Sequence, residues 1–346
     1  MVKKVTMRDV AEKADVAVST VSQVFNNKPN VSMDTRQRVL DVARELGYSK
    51  DGLSNTPPNT AFSTIGLLTG NLPDGSSLLT NTFFSGIIVG IERECQRNGV
   101  NLMYANLEVD KHGHNRNLPP MLQDELVDGA IVVGAFLEDT IADIHHRAGN
   151  NIVLIDGYTP DAIAFNSILI DNRQGATRAV TYLIENGHRK IGLIGSNPND
   201  LPGLAQRREA YIRTLKCHDI HDIYIEESSL QYDFAYEATL RLMEKHPDIT
   251  AIFALNDEIA ARSVMPALQK LNYRVPDDIS LIGFDDTEIA SITNPALTTI
   301  HVNRELMGTL GVQRLLEQIE NDGWSPIKTV VSTHLITRET VKKLED

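Results

Sequence analysis

Two sets of side chains in this 346-residue chain have the types and spacing to do chemistry on a partner. The first lies just before residue 28, where Ser19, Thr20, Ser22 and Gln23, followed by Asn26 and Asn27, offer short uncharged donors and acceptors. Such groups reach base edges in a major groove, and a Gln amide can bond adenine at two points, whereas long charged side chains would hold a helix off the bases. The second set is acidic. Asp156 follows the apolar run VLI, Asn256 and Asp257 follow IFAL, and Asp285 and Asp286 follow LIGF. In sheets of parallel strands, ligands bind beyond the carboxyl ends of the strands, and these polar groups recur where apolar runs stop.

The first set needs a helix to carry it. Met7, Val10, Ala11 and Ala14, then Val18, Val21, Ser22 and Phe25, then Val39, Val42, Ala43 and Leu46 give three patterns spaced by three and four, each a narrow apolar stripe. Only Asp15 to Ala17 separate the first two, which is the tight connection of a helix-turn-helix. Thr6, Ser32 and Thr35 open the neighbouring helices, so their hydroxyls and the helix amino ends can face phosphates and set register. A small three-helix bundle that binds protein is the plainer alternative.

The second set needs sheets. After Tyr48 the segment SKDGLSNTPPNTAFS, broken by Gly52, Pro57 and Pro58, reads as a linker. Beyond it, short strands are predicted at 64–69, 100–105, 128–133, 152–155, 190–194, 249–254 and 279–284. Helices are predicted at 83–98, 118–126, 139–148, 174–186, 204–215, 234–245, 258–271 and 305–320. This alternation predicts parallel sheets covered by helices on both faces. The acid-bearing strand ends fall in two separate runs, so two doubly wound lobes with a cleft between them fit an α/β body of this length better than one sheet.

Charge divides the chain in the same way. Residues 1–60 hold nine Lys and Arg against seven acids, while the whole chain carries −13, so the remainder is strongly acidic. An acidic body repels a polyanion, which confines nucleic-acid contact to the head and makes it depend steeply on salt. Cys95 and Cys217 form no disulfide framework, and each reads as a buried free thiol. No apolar run approaches the ~18 residues of a membrane span and the start lacks a signal-peptide core, so a cytoplasmic protein is expected rather than an exported solute-binding protein. Paired carboxylates such as Asp285 and Asp286 would suit acid-base chemistry. There is, however, no Gly-rich phosphate loop or nucleophile elbow, and neither His112 with His114 nor His145 with His146 has a third ligand nearby, so neither catalysis nor a metal or other cofactor is expected.

DVAEKADVAVSTVSQVFN, TRQRVLDVARELGY, YLIENGHRKIGLIG, RREAY, ALNDEIA, DDISLIGFDD and PALTTI occur in that order. With these segments the chain resembles the LacI-type bacterial transcription regulators over essentially its whole length. The resemblance implies an all-α helix-turn-helix head (1–48), a hinge or linker (49–61) and an effector-binding and dimerisation body (62–346) built like a periplasmic binding protein. Lobe 1 is expected at about 62–158 and 289–320, and lobe 2 at about 159–288 and 321–346. It implies a repressor that binds a palindromic double-stranded DNA operator as a homodimer and is controlled by a small effector, a sugar or sugar derivative first of all. Val18, Ser19 and Gln23 would read bases, with core packing as the rival reading for Val18, while Thr6, Asn26, Ser32 and Thr35 would meet phosphates or sugars. Arg207 of RREAY would clamp the effector together with Asp257 and Asp285, and Phe83 or Phe84 would add an aromatic contact, unless one of them is core. Asp156 and Asn256 complete the expected pocket, and Asp286 reads as a helix cap.

Three departures from the family pattern matter. Ala17 stands where a Ser usually caps the second helix, and Asp15 replaces a turn Gly. Pro57 occupies the place of a Leu that wedges into the minor groove, leaving Leu53 and Pro57 as the wedge candidates, with at most one helical turn expected before Pro57. After VVSTHLITRET only VKKLED remains, short of the ~3 heptads of a coiled-coil tail, so a dimer is expected rather than a tetramer. The rivals to a regulator are a solute-binding sensor whose head no longer acts through DNA, and a carbohydrate-active enzyme.

Overall fold

The computed structural model describes residues 5–25, 31–46, 48, 64–70, 78, 81–109, 115–123, 126–134, 136, 138–148, 151–158, 165–197, 201–321 and 325–345. It divides into two compact units, Met1–Phe62 and Ser63–Asp346. The first holds α1 (Met7–Lys13), α2 (Val18–Phe25) and α3 (Met33–Leu46). Their stripes meet in a small core of Val10, Ala11, Ala14, Val21, Val24, Val39 and Ala43. Thr6 and Asp9 form a capping box at the start of α1. Asp15 sits at φ 52°, the left-handed turn conformation that Asp tolerates better than most residues. The Arg36 guanidinium donates to the Val24 carbonyl at 3.4 Å and pins α3 to the end of α2.

The second unit opens with β1 (Thr64–Thr69), α4 (Thr82–Asn98), β2 (Asn101–Asn106), the short β3 (Glu108–Val109) and β4 (Asn115–Asn117), α5 (Pro120–Gln123), β5 (Gly129–Val133), α6 (Glu138–Ala148), β6 (Ile152–Ile155) and β7 (Asn166–Ile170). It continues with α7 (Asn172–Glu185), β8 (Ile191–Ser196), α8 (Pro202–Cys217), β9 (Tyr224–Glu227), α9 (Tyr232–Lys245), β10 (Ala251–Ala254), α10 (Asp257–Ile259), a π-helical stretch Ala260–Val264 and α11 (Met265–Lys270). It closes with β11 (Ser280–Ile282), α12 (Glu288–Ile292), β12 (Thr299–His301), α13 (Arg304–Glu320), β13 (Lys328–Val331) and β14 (His334–Ile336).

These strands build two parallel sheets, ordered β13-β7-β6-β5-β1-β2 and β11-β10-β8-β9. Runs such as GAIVV and IVLI are buried along their whole length, as strands covered on both faces must be. The sheets define two lobes. Sequence reading placed 159–288 and 321–346 in the second lobe, but β7 pairs with β6 and β13 pairs with β7, so both belong to the first sheet. Their short apolar runs carry no periodicity that would assign them to a lobe. The chain passes between the lobes after β7, between β12 and α13, and between β13 and β14.

Helix α13 returns to the first lobe and packs on α4. The approach is close enough to require glycine, since a Cβ on Gly90 would stand 2.1 Å from the Glu305 carbonyl oxygen and one on Gly308 would stand 2.1 Å from that of Ile87. Cys95 is buried as expected, but Cys217 ends α8 in an exposed position. Among the described residues no helix is long and apolar enough to cross a membrane.

Candidate functional site

Helix α2 carries the side chains expected to read bases. Val21 and Val24 are its core residues, while Val18 is 42% exposed, which removes core packing as the reading of that side chain. Ser19 and Gln23 are exposed beside it, and Thr20 is half-buried. The carbonyl of Ala17 accepts the first helical bonds from Thr20 and Val21, at 2.9 and 3.2 Å, so Ala17 holds the N-cap place without an oxygen to cap with. Thr6 and Ser32 cap instead of standing free. The Thr6 hydroxyl donates to Asp9 Oδ2 at 2.7 Å, and Ser32 Oγ donates to the Thr35 hydroxyl at 2.8 Å and accepts from its backbone N–H at 3.3 Å. Asn26, Leu53 and Pro57 lie outside the described residues.

In the body, Asp156 follows β6 of the first lobe, Arg207 projects from α8 of the second, and Asp285 follows β11. Arg207 is 5% exposed and Asp285 6%, and they form an ion pair of 3.1 Å. The guanidinium also donates through Nε to Asn172 Oδ1 at 2.7 Å and to the Leu255 carbonyl at 2.5 Å, and it lies 3.6 Å above the centroid of the Phe284 ring. Burial pushes the Asp285 carboxyl up to about 6, against the pull of Arg207 and Arg304. Asp156 is half-buried, and desolvation pushes it up to about 7; the charge of Arg207 opposes the shift and that of Asp285 adds to it. Acids from the two lobes therefore lie in the field of one guanidinium, which bonds Asp285 directly. Both have left-handed backbones, φ 55° at Asp156 and φ 103° at Asp285, a conformation that costs a non-glycine residue ~1–3 kcal/mol and persists only where the surroundings impose it.

Two residues that sequence reading missed complete this cluster. Asn172, the first residue of α7, receives Arg207 and donates to the Tyr158 hydroxyl at 3.3 Å. Burial first, and then the charge of Asp156, push the Tyr158 phenol up to about 12. A Cβ on Gly203, at the start of α8, would stand 3.1 Å from Asn172 Nδ2 and 3.3 Å from the Tyr158 hydroxyl, so the second lobe meets the first here. The only sequence signal for either residue was its place just after a strand, at Asp156-Gly157-Tyr158 and at Ile170-Asp171-Asn172.

The expected pocket acid Asp257 has another task. It is 0% exposed, its Oδ1 accepts from the Thr299 hydroxyl at 2.5 Å, and its Oδ2 accepts from the Thr287 backbone N–H at 2.8 Å. Both oxygens are turned into the second lobe, where they tie the start of α10 to the segments around α12 and β12. Burial raises its carboxyl well above the ordinary range, with the charge of Asp285 adding to the shift. Asn256 caps α10, accepting from the Ile259 N–H at 2.8 Å. Asp286, expected as a cap, instead pairs with Arg338 at 2.6 Å and His301 at 2.8 Å; burial works upward, but these partners outweigh it and hold the carboxyl below its usual range.

Phe83 and Phe84 stand edge to face, ring centroids 5.1 Å apart, in the first turn of α4, and both are partly buried against the main core. Phe84 also approaches Gly134, at the end of β5, which places it beside the strand ends that carry Asp156. Thr82, one residue earlier, donates its hydroxyl to Glu258 of the second lobe at 2.8 Å. A separate cavity of about 410 Å³, lined by Thr82, Ser85, His301 and Arg304 among others, opens at the starts of α4 and α13 and does not include the Arg207 cluster. Among the described residues no group of three or more His, Cys, Asp or Glu could hold a metal ion.

Residues 6–51 match the family model for bacterial regulatory proteins of the lacI family, and residues 180–341 match that of a periplasmic binding protein-like domain. The HTH-type transcriptional repressor PurR of Vibrio vulnificus is 30% identical over 341 residues, 98% of this chain and 99% of that one. The ribose operon repressor of Haemophilus influenzae is 30% identical over 343 residues, with the same coverage of both chains. Among solved structures, the lac repressor dimer bound to operator and the anti-inducer ONPF is 25% identical with a TM-score of 0.69, covering 98% of this chain and 100% of that one. A complex of the transcriptional regulator CelR with cellobiose is 27% identical with a TM-score of 0.68, covering 97% and 100%.

Proposed function

We propose a function from one premise: the chain belongs to the lacI family of bacterial regulatory proteins. It is a DNA-binding transcriptional regulator with an effector-binding body. In the reading proposed, residues 1–48 bind a palindromic operator as half of a homodimer, 49–61 link, and 62–346 hold the effector and dimerise. Val18, Ser19 and Gln23 read bases. Thr6, Ser32 and Thr35 sit at helix starts, where phosphates are received. Leu53 or Pro57 supplies the minor-groove wedge. The protein represses, works in the cytoplasm and turns nothing over.

The observation that carries the effector half is the cluster of Asp156, Arg207 and Asp285, in which side chains from both lobes act on one another. A small molecule held there touches both lobes at once and can bias their arrangement. A sugar or sugar derivative is favoured, because a carboxylate accepts two hydroxyl protons and Arg presents a planar fork of donors. Relatives support this: one solved neighbour holds cellobiose, and one relative is named for the ribose operon.

The test is a gel shift with DNA from upstream of the chain's own gene, with and without sugars. Binding at about 10 nM or tighter in physiological salt, falling steeply as salt rises, is expected. Equal affinity for unrelated DNA would leave a sensor whose head does not regulate.

A further inference from the structure

The exposed side of α2 is uncharged and partly apolar. Its eight residues, VSTVSQVF, hold neither acid nor base, and Val18, Ser19 and Gln23 are exposed while Val21 and Val24 are buried. The Lys and Arg residues in the head's helices all stand on α1 and α3, which leaves neutral groups to α2. Ser19 and Gln23 are one turn apart on the same side of the helix, and Val18 adjoins Ser19. Among the described residues the Gln23 side chain has no hydrogen-bond partner, so its amide keeps a donor group and an acceptor for another molecule. Base edges in a major groove sort themselves against such a surface. Adenine offers an acceptor at N7 beside a donor at N6, and these match the two halves of the amide. Guanine offers two acceptors, N7 and O6, and would leave the Gln carbonyl facing one of them with no proton between. The 5-methyl group of thymine is the one apolar group on these edges, and it is the group that an exposed Val side chain can cover without stranding a polar atom.

Resting on the DNA reading above, we propose that the base pairs under α2 are A·T pairs, with Gln23 bonding adenine at N6 and N7 and Val18 packed on the 5-methyl group of a thymine in the same half-site. Ser19, whose hydroxyl both donates and accepts, tolerates either kind of pair. A G·C pair at the Gln23 or Val18 position is rejected by the polar atoms it leaves unpaired, not by a clash. A cation at position 23 would reverse the choice, because an Arg fork fits the two acceptors of guanine.

The experiment selects binding sites for the full chain and for Gln23→Arg from a pool of randomised double-stranded DNA. The wild type should enrich A·T at the one symmetric position where Gln23→Arg enriches G·C. A wild-type preference for G·C there, or no position that differs between the two proteins, overturns the proposal. No enrichment of any sequence by either protein overturns the DNA reading beneath it. Two single-atom changes in the enriched site then test the contacts themselves. Replacing that adenine by 7-deazaadenine, which lacks only the N7 acceptor, should raise Kd about 3- to 10-fold for the wild type and leave Gln23→Ala unchanged. Replacing each thymine in turn by deoxyuridine, which lacks only the 5-methyl group, should raise Kd about 4-fold at one symmetric position and have no effect there on Val18→Ser. Equal losses in wild type and variant, or no loss in the wild type, remove the residue concerned from the contact and overturn its part of the proposal.

Discussion

Helix α2 and the interlobe cleft, the surfaces proposed here to meet DNA and effector, are made in opposite ways. On α2 the reading side chains are exposed and uncharged, carried by a regular helix whose buried side is separate from its working side. In the cleft the side chains are charged, Arg207 and Asp285 are buried and hold one another, and Asp156 and Asp285 stand on left-handed backbone. The head can therefore change its reading without disturbing its fold. In the cleft, binding and stability rest on the same atoms.

The sharpest way to break this contrast is Arg207→Ala. It leaves Asp285 buried without its counter-charge, and removing one partner of a buried pair costs about 3–5 kcal/mol. Denaturant unfolding of the body should show that loss together with a lost effector response. A loss below about 1 kcal/mol would mean that the cleft, like α2, tolerates change freely.

Gln23→Ala is the counterpart in the head. It should leave unfolding unchanged within about 0.5 kcal/mol, as exposed sites do, yet relax base preference at one symmetric position of each half-site by about 1–3 kcal/mol. Binding competition between operator variants reads this directly. A uniform loss over all sequences would make Gln23 a backbone contact.

The same contrast explains what the sequence disclosed. The head was legible because a helix-turn-helix is local: spacing, caps and polar face all lie within a few turns, and Val18, Ser19 and Gln23 came out exposed together. The body's alternation was legible for the same reason, since its buried strands are continuous apolar runs. The membership of β7 and β13 in the first sheet was not, because pairing partners distant in sequence leave no mark on a short strand. Nor was the difference between Asp257 and Asp285. Both follow apolar strands, and only three-dimensional neighbours decide that one ties Thr287 to Thr299 while the other meets Arg207.

Asp257→Ala tests that distinction. It leaves the Thr287 N–H and the Thr299 hydroxyl without an acceptor, at about 1–3 kcal/mol for a buried group left unsatisfied, while the effector response of the folded protein persists. A variant of unchanged stability with a lost response would return Asp257 to the pocket. In the head, Ala17→Ser should gain about 0.5–2 kcal/mol by giving α2 the side-chain cap it lacks. Thermal unfolding of the full chain should show the gain in the head's transition, and no gain would mean that water already serves those amides.

The smallest effect is expected from Asp156, because it is half-buried and its charge is partly screened. Its carboxyl sits at about 7 in the fold, first through desolvation, against an ordinary value of 3.8. Between those two values the folded state binds more protons than the unfolded one, so stability falls as pH rises through that window and levels off above it. The penalty is thus absent at pH 3, where both states are protonated, and complete by pH 8. Asp156→Asn removes the titration, and should leave Tm unchanged at acid pH while raising it at pH 8, flattening the decline between. The opposite result, a loss of Tm at pH 8, would mean that Arg207 stabilises the Asp156 carboxylate more than burial destabilises it. Asp156 would then be a second ion-pair partner of Arg207, and binding and stability in the cleft would rest on three charges instead of two.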